Sequence, residues 1–257
     1  MFHYIVFALL APLLACQGHY VRRTSLVLPE ADGERCGTLG KGAELSVLVA
    51  GDSAAAGVGV DNQNQALVGY LTRELAKHYC VTWALAAQSG NTTIDLIERL
   101  TTIEGKQFDV VLISLGVNDV LSPLSAVKWS QQLRILTLLL QKQFQTTQIW
   151  FTSVPPMEHF PLLPHPLRWF LGKRAQAFNR SLARHVNLNK TCGLIHLSGE
   201  LASNVNIRQG YKIEMDSSVT DADLTQNSMA IDGFHPSESL YKIWGVTAAK
   251  MIIKRLS

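Results

Sequence analysis

Three short clusters divide the parts of acyl-transfer chemistry among them: Gly51-Asp52-Ser53-Ala54-Ala55-Ala56-Gly57, Gly116-Val117-Asn118-Asp119 and Asp232-Gly233-Phe234-His235-Pro236. Ser53 brings a hydroxyl nucleophile. Asn118 brings a neutral amide N–H, the fixed donor that a developing oxyanion needs. Asp232 and His235 stand three apart in a Gly/Pro-shaped turn. The carboxylate can therefore sit behind the imidazole, accept from one ring nitrogen and leave the other for Ser53, which fixes the tautomer and stabilises the imidazolium. A fourth stretch, Ser89-Gly90-Asn91-Thr92, offers the Gly90 N–H as an oxyanion donor beside the Ser53 N–H. Each residue has a simpler use when taken alone: Ser53 as a helix cap, Asn118 and Asp119 as turn residues stabilising their own loop, Gly90 as an ordinary loop glycine. Their joint order along the chain, at the ends of strand-like runs, points to the chemistry of a serine hydrolase. His159, His165, His185 and His196 are more simply loop, surface or core residues.

The elements that would position these groups alternate. Apolar, β-rich runs over 45–50, 81–86, 108–115, 148–154 and 193–197 are separated by helical spacing over 65–78, 92–100, 125–144 and 168–186. A closing helix runs from about Pro236, with Leu240, Ile243, Trp244, Thr247, Met251 and Ile252 facing inward. Alternation of this kind predicts a parallel sheet covered on both faces, and the unbroken apolar run over 108–115 agrees with burial on both. Ligands of such sheets bind beyond the carboxyl ends of the strands, where the first and third strands run into the Ser53 and Asn118 clusters. Gly51 and Gly57 allow a tight turn around Ser53, leading toward a helix whose start favours negative charge.

The chain divides into an apolar N-terminal segment (1–21), a Gly- and Glu-rich linker (22–44) expected as an exposed connection, and a domain from 45 to 257. With 257 residues, 47% of them hydrophobic and a net charge of +3, it can bury one substantial core and gives no electrostatic case for nucleic acid. The basic pairs Arg22-Arg23, Lys173-Arg174 and Lys254-Arg255 lie far apart. Cys16, Cys36, Cys80 and Cys192 lack metal-ligand spacing, so no zinc site is expected. Cys80 and Cys192 beside strand-like runs suit small buried thiols; spacing leaves disulfide pairing open.

Tyr4 to Cys16 is an apolar run interrupted only by Pro12, too short for a helical bilayer span but suited to a signal-peptide core. It ends in Leu13-Leu14-Ala15-Cys16, similar to a lipobox whose Cys is acylated after cleavage. Met1-Phe2-His3 carries no Lys or Arg, which opposes ordinary export. The segment is thus a signal with Cys16 as lipid site, giving a periplasmic or membrane-associated protein, or else an uncleaved anchor at the cytoplasmic face.

Through Gly51-Asp52-Ser53, Ser89-Gly90-Asn91-Thr92, Leu115-Gly116-Val117-Asn118-Asp119 and Asp232-Gly233-Phe234-His235-Pro236, the chain resembles the SGNH (GDSL-type) hydrolase family over roughly Leu45 to Leu256. Within that family it is most similar to the bacterial multifunctional thioesterase/lysophospholipase enzymes. The resemblance implies a three-layer α/β/α sandwich with a parallel, flavodoxin-like sheet of five strands. It implies Ser53, Asp232 and His235 as catalytic residues and Ser53, Gly90 and Asn118 as the oxyanion hole, with no metal and no cofactor. The expected reaction is hydrolysis of a carboxylic ester or thioester through an acyl-enzyme on Ser53, the substrate being a small acyl ester such as a lysophospholipid. An alternative keeps the site and changes the acceptor: an O-acetyl esterase or acyltransferase acting on cell-envelope carbohydrate. Ala54 stands where the family pattern has Leu. The apolar, proline-rich stretch 157–172 does not align, and serves either as a wall for an acyl chain or as core beneath a loop. Substrate-binding residues are otherwise unassigned. A non-catalytic binding domain of this fold would be expected to have lost Ser53 or His235, and a flavodoxin-like cofactor binder would carry a phosphate-cradling glycine fingerprint after the first strand.

Overall fold

Odd and even residues of the central strands face opposite ways, and both sets are apolar. On β2 (Ala43–Gly51) and β4 (Val110–Ser114), Val47, Val49, Val110 and Leu112 meet one helical layer, formed by α2 (Leu67–Leu75) and the last helix, α7 (Glu238–Leu256). Leu48, Ala50, Val111 and Ile113 meet the other, formed by α3 (Thr93–Thr101), α5 (Ala126–Gln143) and α6 (Leu167–Leu188). Burial of both side-chain sets gives the three layers, each fully buried Leu or Phe contributing roughly 1.5–3 kcal/mol. The computed structural model describes residues 2–196 and 229–257.

The sheet also contains β1 (Cys36–Leu39), β3 (Tyr79–Ala87), β5 (Gln148–Thr152) and β6 (Cys192–Ile195), in the order β1-β3-β2-β4-β5-β6. All neighbours are parallel except β1 and β3. The sheet therefore has six strands among the described residues rather than five, and the additional one comes from the stretch 22–44 expected as a linker. Cys36–Leu39 pairs along Val81–Ala84 and covers an edge that β3 would otherwise leave open. Four residues including a glycine carry too little periodicity to reveal it. The fifth expected run ends at Ile195; its Leu197 lies outside the described residues.

The helices fall near their expected positions, with two shifts. Helix α7 starts at Glu238 and is capped by Ser237, and it buries Tyr241, Trp244, Ala248, Ala249 and Ile252, leaving Leu240, Ile243, Thr247 and Met251 half-buried. Its close approach to α2 sets that face: a Cβ on Gly245 would lie 2.7 Å from the Cβ of Tyr70. No helix begins at Ser53. Residues 52–60 form successive turns, with the Ala56 N–H bonded to the Asp52 carbonyl at 2.9 Å and the Val58 N–H to the Ser53 carbonyl at 3.0 Å. Gly51 is required where β2 ends, because a Cβ there would lie 2.0 Å from the Ser114 carbonyl oxygen.

Helix α1 (Phe2–Thr24) precedes the sheet and lies against α6. Gln17 ties it down, donating to the His165 carbonyl at 2.7 Å and accepting from the Leu167 N–H at 3.1 Å. No described helix is long and apolar enough to cross a membrane. All four cysteines are free: Cys16 and Cys36 are exposed, Cys192 is buried, and Cys80, on the strand next to the sheet edge, is only partly buried.

Candidate active site

The carboxyl ends of β2, β3 and β4 converge on the turn that precedes α7. His235 Nε2 lies 2.9 Å from Ser53 Oγ, and His235 Nδ1 lies 2.5 Å from Asp232 Oδ2. The other carboxylate oxygen, Oδ1, accepts the N–H groups of Phe234 at 2.9 Å and His235 at 3.0 Å, so the turn that carries the histidine also fixes the acid. Burial by itself would raise the Asp232 carboxyl; the His235 ring and the two backbone N–H groups outweigh it and hold the group below its ordinary value. With the Nδ1 proton directed at Asp232, Nε2 is left to accept the Ser53 O–H. Phe234 packs edge-on against the imidazole and against Phe160, at centroid distances of 5.2 and 5.1 Å.

On the other side of Ser53 lies a groove of about 840 Å³ that Ser53, Gly90, Asn118 and His235 all line. Asn118 Nδ2 donates to the Asn91 carbonyl at 2.9 Å, which holds the amide and leaves its second N–H for the groove. Among the described residues neither the Ser53 nor the Gly90 N–H finds a partner. Gly90 has φ +85°, a backbone conformation that a side chain would strain, and open space surrounds it. Three N–H donors thus border one cavity beside a hydroxyl that is hydrogen-bonded to an imidazole, an arrangement able to bind an oxyanion and to activate that hydroxyl.

What holds the Gly90 loop has no signature in the local sequence. The Ser89 N–H donates to Glu30 Oε1 at 2.6 Å, Glu30 pairs with Arg35 at 3.1 Å, and Arg35 also donates to the Ala87 carbonyl. Glu30 and Arg35 come from the stretch expected as a linker, and no spacing in the sequence relates them to residue 89. Asn91 adds a tie to the end of β2 through its Nδ2 and the Gly51 carbonyl at 3.3 Å. Asp119 reaches beyond its own loop. Its buried carboxylate accepts from the N–H and Oγ–H of Thr93, whose Oγ also accepts from Trp129 Nε1 at 2.8 Å, so it joins the β4 turn to the start of α3. Burial raises the Asp119 carboxyl. Asp52 is buried beneath Ser53; burial, with the charge of Asp119 adding to it, pushes its carboxyl up to about 7.

The stretch 157–172 contributes both to the core and to the lining of the groove. Met157, Phe160 and Leu163 are core residues, while Leu162, Leu163, Leu167 and Phe170 also line the groove. His159 and His165 are exposed, His185 is buried with its Nε2 2.8 Å from Thr137 Oγ1, and His196 follows β6 half-buried. None of these four lines the groove. Among the described residues no group of three or more His, Cys, Asp or Glu side chains is arranged for a metal ion.

Residues 49–243 match the GDSL-like lipase/acylhydrolase family. No curated protein matches the chain by sequence. Among solved structures it is similar to TesA, at 22% identity and a TM-score of 0.59 over 82% of this chain and 99% of that one. It is similar also to the psychrotrophic esterase EstA from Pseudoalteromonas sp., at 21% identity and a TM-score of 0.54 over 82% and 98% of the two chains. A third likeness is to Est24, a carbohydrate acetylesterase from Sinorhizobium meliloti, at 16% identity and a TM-score of 0.55 over 82% and 99%. At these identities the structural likenesses establish the fold, and the match over residues 49–243 establishes the kinship: the chain belongs to the GDSL-like lipase/acylhydrolase family of ester hydrolases.

Proposed function

We propose that this ester hydrolase works through Ser53 as nucleophile, His235 as general base and Asp232 as the acid that orients it. The observation that carries this is the unbroken hydrogen-bonded chain from Asp232 through His235 to Ser53, ending beside the groove that Gly90 and Asn118 line. His235 Nε2 takes the Ser53 proton as Oγ attacks the acyl carbonyl carbon. The carbonyl oxygen becomes an oxyanion and is held by the Ser53 and Gly90 N–H groups and by Asn118 Nδ2. Collapse breaks the bond to the alkoxide or thiolate, which leaves with the proton from His235. A water, deprotonated in turn by His235, attacks the acyl-enzyme, and the carboxylic acid is released with Ser53 restored.

The test compares wild type with Ser53→Ala on p-nitrophenyl esters from acetyl to palmitoyl. Turnover that disappears in Ser53→Ala supports the scheme; equal turnover in the variant ends it. Serine-dependent activity confined to acetyl esters would favour carbohydrate deacetylation, the activity named for Est24.

The apolar start keeps a second role in this reading, attachment to a membrane surface. Leu13, Tyr20 and the Cys16 thiol are exposed on α1, in keeping with lipid contact or with acylation at Cys16. Fractionation of cells expressing wild type and Cys16→Ser separates the two: loss of the membrane-bound fraction in Cys16→Ser assigns attachment to acylation, and retention assigns it to the helix.

A further inference from the structure

One wall of the groove beside Ser53 is supplied by neither the catalytic loops nor the sheet. Between Leu14 and Arg22, helix α1 runs along the groove and presents Leu14, Gly18 and Val21, which share a helical face through spacings of four and three. Leu121, at the end of the short helix α4 (Val117–Leu121), and Phe170 of α6 line the same groove. Leu14 and Val21 also pack against the core on the α6 side, and Gln17 bonds the helix to the start of α6, so this wall is built into the domain. Gly18 is its gap. A Cβ placed there meets no atom within 4 Å.

Two spaces meet at the Ser53–His235 pair. One is a cavity of about 50 Å³, too small for a chain, lined in part by Thr152, Phe160 and Trp244. The other is the groove of about 840 Å³, which falls within the roughly 300–1,000 Å³ of small-molecule sites. A carbonyl at Ser53 with its oxygen toward Gly90 and Asn118 already lies in the groove, and its apolar substituent continues along the same space.

We propose that α1 sets the acyl-chain preference of this enzyme, the acyl chain of the substrate lying along Gly18 and Val21 and passing through the gap at Gly18. The proposal rests on the Ser53 esterase reading and adds to it the occupant of the groove and the residues that select it. Each methylene of the chain that leaves water for the groove raises kcat/KM roughly fourfold. Gly18 and Val21 both follow Cys16, so a processed, acylated N-terminus would keep them.

The experiment measures kcat/KM of the full chain for p-nitrophenyl acetate, octanoate and palmitate, in wild type, Gly18→Phe and Leu121→Phe. A phenyl ring at either position fills the groove from one side. The expected result is a fall in the palmitate-to-acetate ratio of roughly tenfold or more in both variants, as two or more methylenes lose their place. An unchanged ratio overturns the proposal, and so does a proportional loss on all three esters. A parallel series of acetate esters with lengthening alcohols is the counter-test: a change in that series alone would assign the groove to the alcohol and overturn the acyl assignment. Failure of the underlying reading looks different, because wild-type turnover of the acetate ester would then be absent or would survive Ser53→Ala.

Discussion

Asn118 Nδ2 donates to the Asn91 carbonyl at 2.9 Å, so one amide N–H anchors the side chain and the other remains for the groove that Ser53 and Gly90 share. A donor fixed in this way needs no reorganisation when negative charge appears on the substrate. Asn118→Ala should lower kcat by about 10²–10³-fold while changing KM little, because the lost bond strengthens only as the oxyanion forms. Steady-state kinetics on p-nitrophenyl butyrate check this. A variant with near-wild-type kcat would remove Asn118 from the oxyanion site.

The Glu30 carboxylate holds the Ser89 N–H at 2.6 Å, one residue before Gly90. Burial would raise this carboxyl, but its bonds to Ser89 and its pairing with Arg35 prevail and lower it. Glu30→Ala should free the Gly90 loop and reduce kcat on the order of tenfold to a hundredfold, the range expected when a reacting group is misplaced by about 1 Å. Glu30→Gln, which retains an acceptor, should recover most of that loss. Equal kcat in wild type and Glu30→Ala would show that the loop holds its own shape.

The contrast between Ser53 and Glu30 explains what could be read in advance. Ser53 and Asn118 follow glycines at the ends of apolar runs and His235 stands in a Gly/Pro-shaped turn before the last helix, so local composition marks them, and the alternation of runs places Ser53 and Asn118 on one edge of the sheet. Glu30 and Arg35 act on residues 87–89 across more than fifty positions, and only the pairing of β1 with β3 brings them there. The strand within the stretch 22–44, expected as an exposed connection, left no mark for that reason: a four-residue edge strand takes its stability from its neighbour rather than from its own periodicity. The role of α1 in the groove was hidden differently. Leu14, Gly18 and Val21 share a helical face, but Leu14 belongs to the apolar run that ends at Cys16 while Gly18 and Val21 stand among Gln17, His19, Arg22 and Arg23, so no continuous apolar stripe marks that face.

Asp232→Asn keeps an oxygen for the Phe234 and His235 N–H groups but removes the charge that faces Nδ1. The expected loss is about 10⁴-fold in kcat, as in the Ser-His-Asp template when the tautomer is wrong. Stability should respond to acid. The folded Asp232 carboxyl is held below its ordinary value, so its contribution is present above the ordinary carboxylate range and is lost as pH falls through it. The stability advantage of wild type over Asp232→Asn, measured by urea unfolding, should therefore shrink below about pH 4. An advantage that stays constant with pH would mean that the carboxyl titrates alike in both states.

Asp52 gives the opposite sign. Its carboxyl lies buried under Ser53, accepts the Ala54 N–H at 3.1 Å, and is raised from 3.8 to about 7, chiefly by burial. Below the lower value the group is protonated whether the chain is folded or not, and it contributes nothing to pH dependence. Between the two values the unfolded chain ionises while the folded one stays neutral, so the folded state loses stability as pH rises, by on the order of 4 kcal/mol in full. Above about 7 the loss is complete and constant. Asp52→Asn keeps the acceptor for Ala54 and removes the titration. Relative to wild type, the variant should gain stability steadily from about pH 4 to about pH 7 and then level off. Urea unfolding of both proteins across that range measures the difference directly, other titrating groups being common to the two. A flat difference would show that Asp52 ionises in the folded chain as easily as in the unfolded one, and would require a cation or water beside it.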